Sequence, residues 1–213
     1  RAPATGNWPD DMYYDGARDH LIVLENVYNN DEADAYDYSE IQSRLLVYDV
    51  SSPEAPTLAK TIELSGTLSE SRLVGDILYV ATSVRPSYYG RRSGDKQEGK
   101  GYVYSFDLAN DDASLVQTYE MSAPVSWGEK MNVLSVQEGE ATKFYLIAVL
   151  SKSGWGWWDR ESMVEVVDIS DAKGAIKPVM TINARGAVGE RSQTLIKNRT
   201  LVVTSNFQVN DTG

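Results

Sequence analysis

The chain has 213 residues, of which 31 are acidic and 20 are basic, so its net charge is −11. This charge argues against a nucleic-acid or anionic-lipid partner, because phosphate contacts need concentrated Lys and Arg. The absence of cysteine excludes disulfides, thiol catalysis and thiolate metal sites. No apolar run approaches the roughly 20 residues of a membrane-spanning helix, so we expect no membrane insertion.

Two kinds of β-hairpin alternate along the chain. The first kind starts as MYYDGARDHLIVLENV and recurs as SRLVGDILYVATS, KMNVLSVQEGEATKFYLIAVLS and RSQTLIKNRTLVVTS. Each copy has a turn signal in its middle, such as Gly75-Asp76 or Lys197-Asn198. The second kind lies between these copies and reads LLVYDVSSPEAPTLAKTIEL, YVYSFDLANDDASLVQTYEM and VEVVDISDAKGAIKPVMTIN. Its first strand ends each time in an aspartate (Asp49, Asp107 and Asp168), and we expect these aspartates to cap the polar turns that follow.

The aligned aspartates are 58 and 61 residues apart, and four strands per repeat of this length indicate a β-propeller. The predicted fold class is therefore all-β, with about three and a half four-stranded antiparallel blades and the first strand of each blade innermost. The approximate blades are 10–66, 67–124, 125–186 and the start of a fourth at 187–213. Three and a half blades cannot close a ring, so we expect a processed or partial chain. The remaining blades would come from the same chain or from a partner chain.

The segment DVSSPEAPTLAKTIELSG, followed by SESRLVGDILYVATS, resembles bacterial secreted proteins with a C-terminal β-propeller distantly related to WD repeats. RLLVYDVSSPEAP is also similar to the LVIVD-type propeller repeat, and the likeness is strongest over residues 44–83. Phe106-Asp107-Leu108-Ala109-Asn110 departs from this pattern because it lacks the Ser and Pro. The resemblance implies a secreted, periplasmic or cell-surface propeller, and it implies no agreed activity and no catalytic residues.

The extra length of each repeat falls between its second and third strands, at about residues 28–43, 84–101 and 152–162. In an antiparallel blade these loops emerge on the same face of the disc, so we expect them to share one rim. The third loop, SGWGWWDR, contains Trp155, Trp157 and Trp158. These indoles either pack on each other and on the second loop, or form a stacking platform for sugar rings or a partner's arginine. With the second loop, the candidate ligand-binding residues are Trp155, Trp157, Trp158, Tyr88, Tyr89, Arg91 and Arg92.

Two acidic groups raise the question of a cation site. The first loop, NNDEADAYDYSE, is either a solvated excursion or a calcium site, although it lacks the D-x-D-x-D-G spacing. The second group lies at the start of the innermost strands, where the spacing aligns Asp11, Glu70, Glu129 and Glu190. These acids form acid–base pairs between neighbouring blades, or a metal site at the channel mouth. Calcium is thus the one cofactor that the sequence suggests.

Residues for catalysis are sparse. The lone histidine, His20, lies beside Asp19, and no nucleophile motif, zinc-ligand cluster or phosphate loop accompanies it. We therefore expect an exported binding or scaffolding protein whose long loops engage a protein or a glycan. The alternative is a propeller hydrolase that acts on carbohydrate through carboxylates at the channel mouth.

Overall fold

The structure is a computed structural model that describes residues 9–27, 42–84, 99–109, 113–122, 131–153, 161–186, 188, 194–197 and 200–205. Within these ranges the chain forms fourteen β-strands and no helix. The described part of the chain accordingly contains no helix long and apolar enough to cross a membrane.

Three four-stranded sheets follow one another along the chain, and a two-stranded hairpin comes after them. The first sheet contains β1 (Pro9–Asp15), β2 (His20–Val27), β3 (Gln42–Asp49) and β4 (Thr57–Leu64). The second contains β5 (Thr67–Val74), β6 (Ile77–Val84), β7 (Lys100–Asp107) and β8 (Ser114–Glu120). The third contains β9 (Met131–Glu138), β10 (Ala141–Ser153), β11 (Glu161–Asp168) and β12 (Lys177–Arg185), and the hairpin is β13 (Thr194–Lys197) with β14 (Thr200–Val203). In each sheet the strands are antiparallel and lie in chain order.

The sheets pack face to face, and an apolar layer fills each space between them. Leu24 and Leu45 of the first sheet meet Phe106 of the second, and all three side chains are buried. A second layer joins the second sheet to the third, and a third layer joins the third sheet to the hairpin. The middle strands are therefore apolar on both faces, as in β6, whose first six residues are all buried. This explains why the second and third strands of each repeat are almost continuous runs of apolar residues.

The first strands of the sheets lie next to each other: β5 contacts β1 and β9, and β9 also contacts β13. The fourth strands are the solvent-exposed outer edges, as in β8, where five of the seven residues are exposed. The sheets thus radiate from their first strands as blades do from an axis. The predicted all-β propeller architecture with the first strand innermost is confirmed.

Each fourth strand contains a β-bulge at the same place, which the sequence did not reveal. The extra residues are Ala59, Val116 and Val179. A bulge increases the local twist and re-aims the side chains around it. Because it recurs in all three sheets, we interpret it as part of the repeat.

The two ends of the sheets define two faces of the molecule. We call the end where the second strand leads to the third the loop face; its strand ends are Val27 and Gln42, Val84 and Lys100, and Ser153 and Glu161. We call the opposite end the turn face, where the third strand leads to the fourth. The backbone N–H of Leu68, at the start of β5, donates a hydrogen bond to the side chain of Asn26, at the end of β2. The loop-face ends of the first and second sheets therefore lie on the same side.

Candidate binding face and its supporting contacts

The loop face is the end of the sheets where the long connections singled out by the sequence begin and end. The strand ends that flank the three long connections all lie at this face, as predicted for loops that share a rim. The predicted ligand-binding residues themselves lie outside the described residues; they are Trp155, Trp157, Trp158, Tyr88, Tyr89, Arg91 and Arg92. The acidic segment 28–41 also lies outside them.

Asn26 anchors the loop face at the first connection. Asn26 is 6% exposed, its side-chain carbonyl accepts a hydrogen bond from the backbone N–H of Leu68 at 2.8 Å, and its NH₂ group donates to the carboxylate of Asp10. The hydroxyl of Ser43 lies 3.0 Å from the same amide oxygen and donates to the Gly66 carbonyl at 2.7 Å. One side chain thus joins the base of the first long connection to the start of the second sheet. Burial raises the pKa of Asp10, and the N–H groups of Asn26 oppose that rise.

Asp11 links the innermost strands of the first and second sheets. Its carboxylate accepts hydrogen bonds from the hydroxyls of Ser71 and Tyr13, the latter at 3.1 Å. The two hydroxyls lie 2.8 Å apart, and burial raises the pKa of Tyr13 to about 12. The predicted inter-blade link at Asp11 therefore exists, but hydroxyl groups hold the carboxylate in place of the expected basic partner.

Glu70 occupies the position in the second sheet that Asp11 occupies in the first, because Asp11 pairs with Leu24 and Glu70 with Ala81 at matching registers. Glu70 lines a cavity of about 10 Å³ between the second and third sheets, which leaves room for no more than a water molecule. Beside it, the guanidinium of Arg72 lies 4.8 Å from the centre of the Phe144 ring. A cation–π contact therefore joins these two sheets near the axis.

The predicted metal site involves four carboxylates, and two of them, Glu129 and Glu190, lie outside the described residues. Within the described ranges, no three His, Cys, Asp or Glu residues come together in a group that could hold a metal ion. Calcium at Asp11, Glu70, Glu129 and Glu190, or in the first loop, therefore stays a prediction.

Glu165 is a buried acidic residue that the sequence did not single out. It lies in the middle of β11, is 1% exposed, and sits between the second and third sheets. Its carboxylate accepts hydrogen bonds from the hydroxyl of Tyr119 and from the amide (2.9 Å) and hydroxyl (2.7 Å) of Ser122. Burial and the Glu165 charge raise the pKa of Tyr119, which stays a neutral donor. Only its place among the apolar residues VEVV could have marked it.

The turn face is built from aspartate caps, as predicted. Asp49, Asp107 and Asp168 each accept the backbone N–H two residues ahead, at 2.9, 2.8 and 2.8 Å. His20 begins β2 at this face, opposite Asp15 and Asp49. Hydrogen bonding to the backbone thus explains the aspartate at the three equivalent turns of the repeat.

A fan of four-stranded antiparallel sheets around an axis defines the class of protein as a β-propeller. The model of the beta propeller domain family matches residues 2–210, and the chain belongs to that family. No curated protein and no solved structure matches the chain.

Proposed function

We propose that this chain is part of an extracytoplasmic binding or scaffolding propeller whose loop face engages a protein or a glycan. The observation that supports the proposal is that the strand ends flanking the three connections lie at one end of the stack of sheets. Loops held by a rigid scaffold are a common place for binding residues. Two of these connections, between Val27 and Gln42 and between Val84 and Lys100, are longer than any on the turn face.

The residue types in these connections suggest the chemistry of the ligand. Trp155, Trp157 and Trp158 lie in one connection, and Tyr88, Tyr89, Arg91 and Arg92 lie in the preceding one. Indole and phenol rings offer flat apolar faces to sugars, and guanidinium groups stack on the same rings or bind carboxylates. Export to the periplasm, the cell surface or the medium fits a chain without cysteine that resembles secreted propellers.

Binding at the loop face can be tested with the triple variant Trp155→Ala, Trp157→Ala and Trp158→Ala. Soluble oligosaccharides and immobilised cell-envelope proteins would be the probes, and intrinsic fluorescence and surface plasmon resonance the measurements. The matched control is Lys173→Ala, because Lys173 is an exposed residue of the turn face. We expect the triple variant to lose at least tenfold in affinity while the control retains it. Equal binding by both variants would contradict a ligand site at the tryptophans.

The hydrolase alternative makes a different prediction about the channel mouth. If carboxylates there performed hydrolysis, Glu70→Gln would abolish turnover of an oligosaccharide while leaving its binding intact. The hydrogen bonds of Asp11 to Ser71 and Tyr13 already give that carboxylate a structural role. Of the two described carboxylates that align at the channel mouth, the alternative therefore depends on Glu70.

A further inference from the structure

The buried carboxylate of Glu165 occupies a position that the first two sheets fill with uncharged side chains. Leu46, Tyr104 and Glu165 each lie three residues before the aspartate that caps the turn of their sheet, and each is paired with a threonine of the fourth strand. Leu46 and Tyr104 are both 8% exposed, and Tyr104 belongs to the apolar layer between the first and second sheets. The repeat therefore does not require a carboxylate at this position, so the one in the third sheet needs its own explanation.

Glu165 holds the chain at the place where it leaves the second sheet. β8 ends at Glu120, and the next residue, Met121, donates its backbone N–H to the Gly101 carbonyl at 2.9 Å. Ser122 then directs both its backbone N–H and its hydroxyl to one carboxylate oxygen of Glu165. Gly101 lies at the loop-face end of β7, where the second long connection ends, and β11 begins where the third one ends. Met121 and Ser122 thus link the two strands that follow these connections.

A separate set of hydrogen bonds joins the same two sheets at the turn face. The hydroxyl of Ser105, which is fully buried, donates to the Gly174 carbonyl at 2.7 Å. The side chain of Gln117 bonds both the backbone N–H and the carbonyl of Ile176. The second and third sheets are therefore held together at both ends, and the contacts of Glu165 hold the loop-face end.

We propose that Glu165 is a positioning residue of the loop face, which keeps the second and third long connections in a fixed relation to each other. The inference rests on the proposed function, because these two connections carry the candidate ligand-binding residues. An apolar side chain at a buried position often gives as much stability as a paired charge, whereas a fully hydrogen-bonded carboxylate restricts its neighbours to one arrangement. The donors to Glu165 belong to Tyr119 and Ser122, so the arrangement that it restricts is that of the segment leaving β8.

The absence of cysteine from the chain permits a direct test with pairs of spin labels. Lys100→Cys with Asn183→Cys places the labels on exposed residues near the loop-face ends of the second and third sheets. Ser114→Cys with Lys173→Cys places them on exposed residues of the same sheets at the turn face. Pulsed electron–electron double resonance measures the distance distribution within each pair.

Three substitutions are compared in both labelled chains. Glu165→Leu removes the acceptors and introduces the side chain that the first sheet has at this position, and Ser122→Ala removes one donor from an exposed residue. Ser105→Ala is the matched control, because it removes a buried hydrogen bond between the same sheets at the turn face. We expect Glu165→Leu to at least double the width of the loop-face distribution, Ser122→Ala to broaden it less, and both to leave the turn-face distribution unchanged. Ser105→Ala should leave the loop-face distribution unchanged.

Binding of the soluble oligosaccharides and envelope proteins is then measured with the unlabelled chains, after urea unfolding has shown that each variant is folded. We expect Glu165→Leu to lower the affinity at least fivefold and Ser105→Ala to retain it. An unchanged loop-face distribution in Glu165→Leu would overturn the positioning role, and so would an affinity equal to that of the unsubstituted chain. The distances need no ligand, so they test the positioning role separately from the triple tryptophan variant, whose equal binding would contradict the proposed function itself.

Discussion

Glu165 shows at the residue scale how a charge is accommodated between two apolar sheets. A buried carboxylate is unfavourable unless nearby donors replace the water that it loses. Here three donors from one short segment, the end of β8 and Ser122, surround the two carboxylate oxygens. The carboxylate in turn satisfies these donors, so it joins the second and third sheets by direct hydrogen bonds.

We predict that Glu165→Ala lowers the free energy of unfolding by about 1–3 kcal/mol, because the substitution leaves buried donors of Tyr119 and Ser122 unsatisfied. Glu165→Gln is the matched control: it keeps the shape and one acceptor oxygen, so its loss should be smaller. Urea unfolding at neutral pH measures both. A change below about 0.5 kcal/mol in Glu165→Ala would show that these hydrogen bonds contribute little.

The aspartates of the turn face predict how stability depends on pH. Hydrogen bonds from Ser51 lower the pKa of Asp49, and those from Lys173 and Lys177 lower the pKa of Asp171. A carboxyl whose pKa is lower in the folded state stabilises the fold above its unfolded value of about 3.9. That contribution is lost as the pH falls through the folded pKa, so we expect the urea midpoint to drop below about pH 4. The drop should shrink in Asp49→Asn; an unchanged profile in this variant would assign the acid sensitivity to other groups.

At the scale of elements, the sequence predicted the hairpins but not their irregularities. The Gly75-Asp76 turn signal and the apolar runs place β5 to β7 correctly. Tight turns and burial on both faces each require particular residue types, so they are visible in the sequence. The bulges at Ala59, Val116 and Val179 were not predicted, because neither a glycine nor a proline marks these positions. The contacts of Gly174 and Ile176 with the second sheet were missed for a different reason: they join residues distant in sequence.

The connection between the first and second sheets requires glycine at position 66. Its φ is +85°, and a Cβ there would lie 2.6 Å from the backbone carbonyl of Ser83. Gly75 also has a positive φ, +60°, but open space surrounds it. We predict that Gly75→Ala lowers the free energy of unfolding by about 1–2 kcal/mol, because alanine is disfavoured in the left-handed conformation. Gly66→Ala should cost at least about 3 kcal/mol, because a backbone clash is added.

Thermal and urea unfolding of the two glycine variants would measure this difference directly. If Gly66→Ala were no less stable than Gly75→Ala, the close approach of the two backbones at Ser83 would not be rigid.

At the scale of the whole molecule, the repeat spacing predicted more of the architecture than of the candidate site. Asp11 and Glu70 were aligned by spacing alone, and the strand register confirms that they are equivalent. The partner of Asp11 could not be predicted, because Ser71 belongs to the neighbouring sheet and lies 60 positions away in the sequence. The ligand-binding prediction at the tryptophans rests on residue types, which indicate a chemistry but fix no geometry.

The two ends of the stack of sheets expose apolar side chains that would be buried inside a propeller. Met12 and Tyr14, on the outer side of β1, are 58% and 62% exposed, and Leu195 and Val202, on the outer side of the hairpin, are 54% and 45% exposed. Exposed apolar sheet faces promote association in water. We predict that the chain in isolation self-associates in a concentration-dependent way, which sedimentation velocity would measure.

Leu195→Lys with Val202→Lys should shift the distribution toward monomer without loss of stability, since neither side chain packs on the third sheet. Ile196→Lys is the contrasting control: Ile196 packs on the third sheet, so a charge there should detach the hairpin and increase association. A chain that stays monomeric at every concentration would show that these faces are too small to drive association.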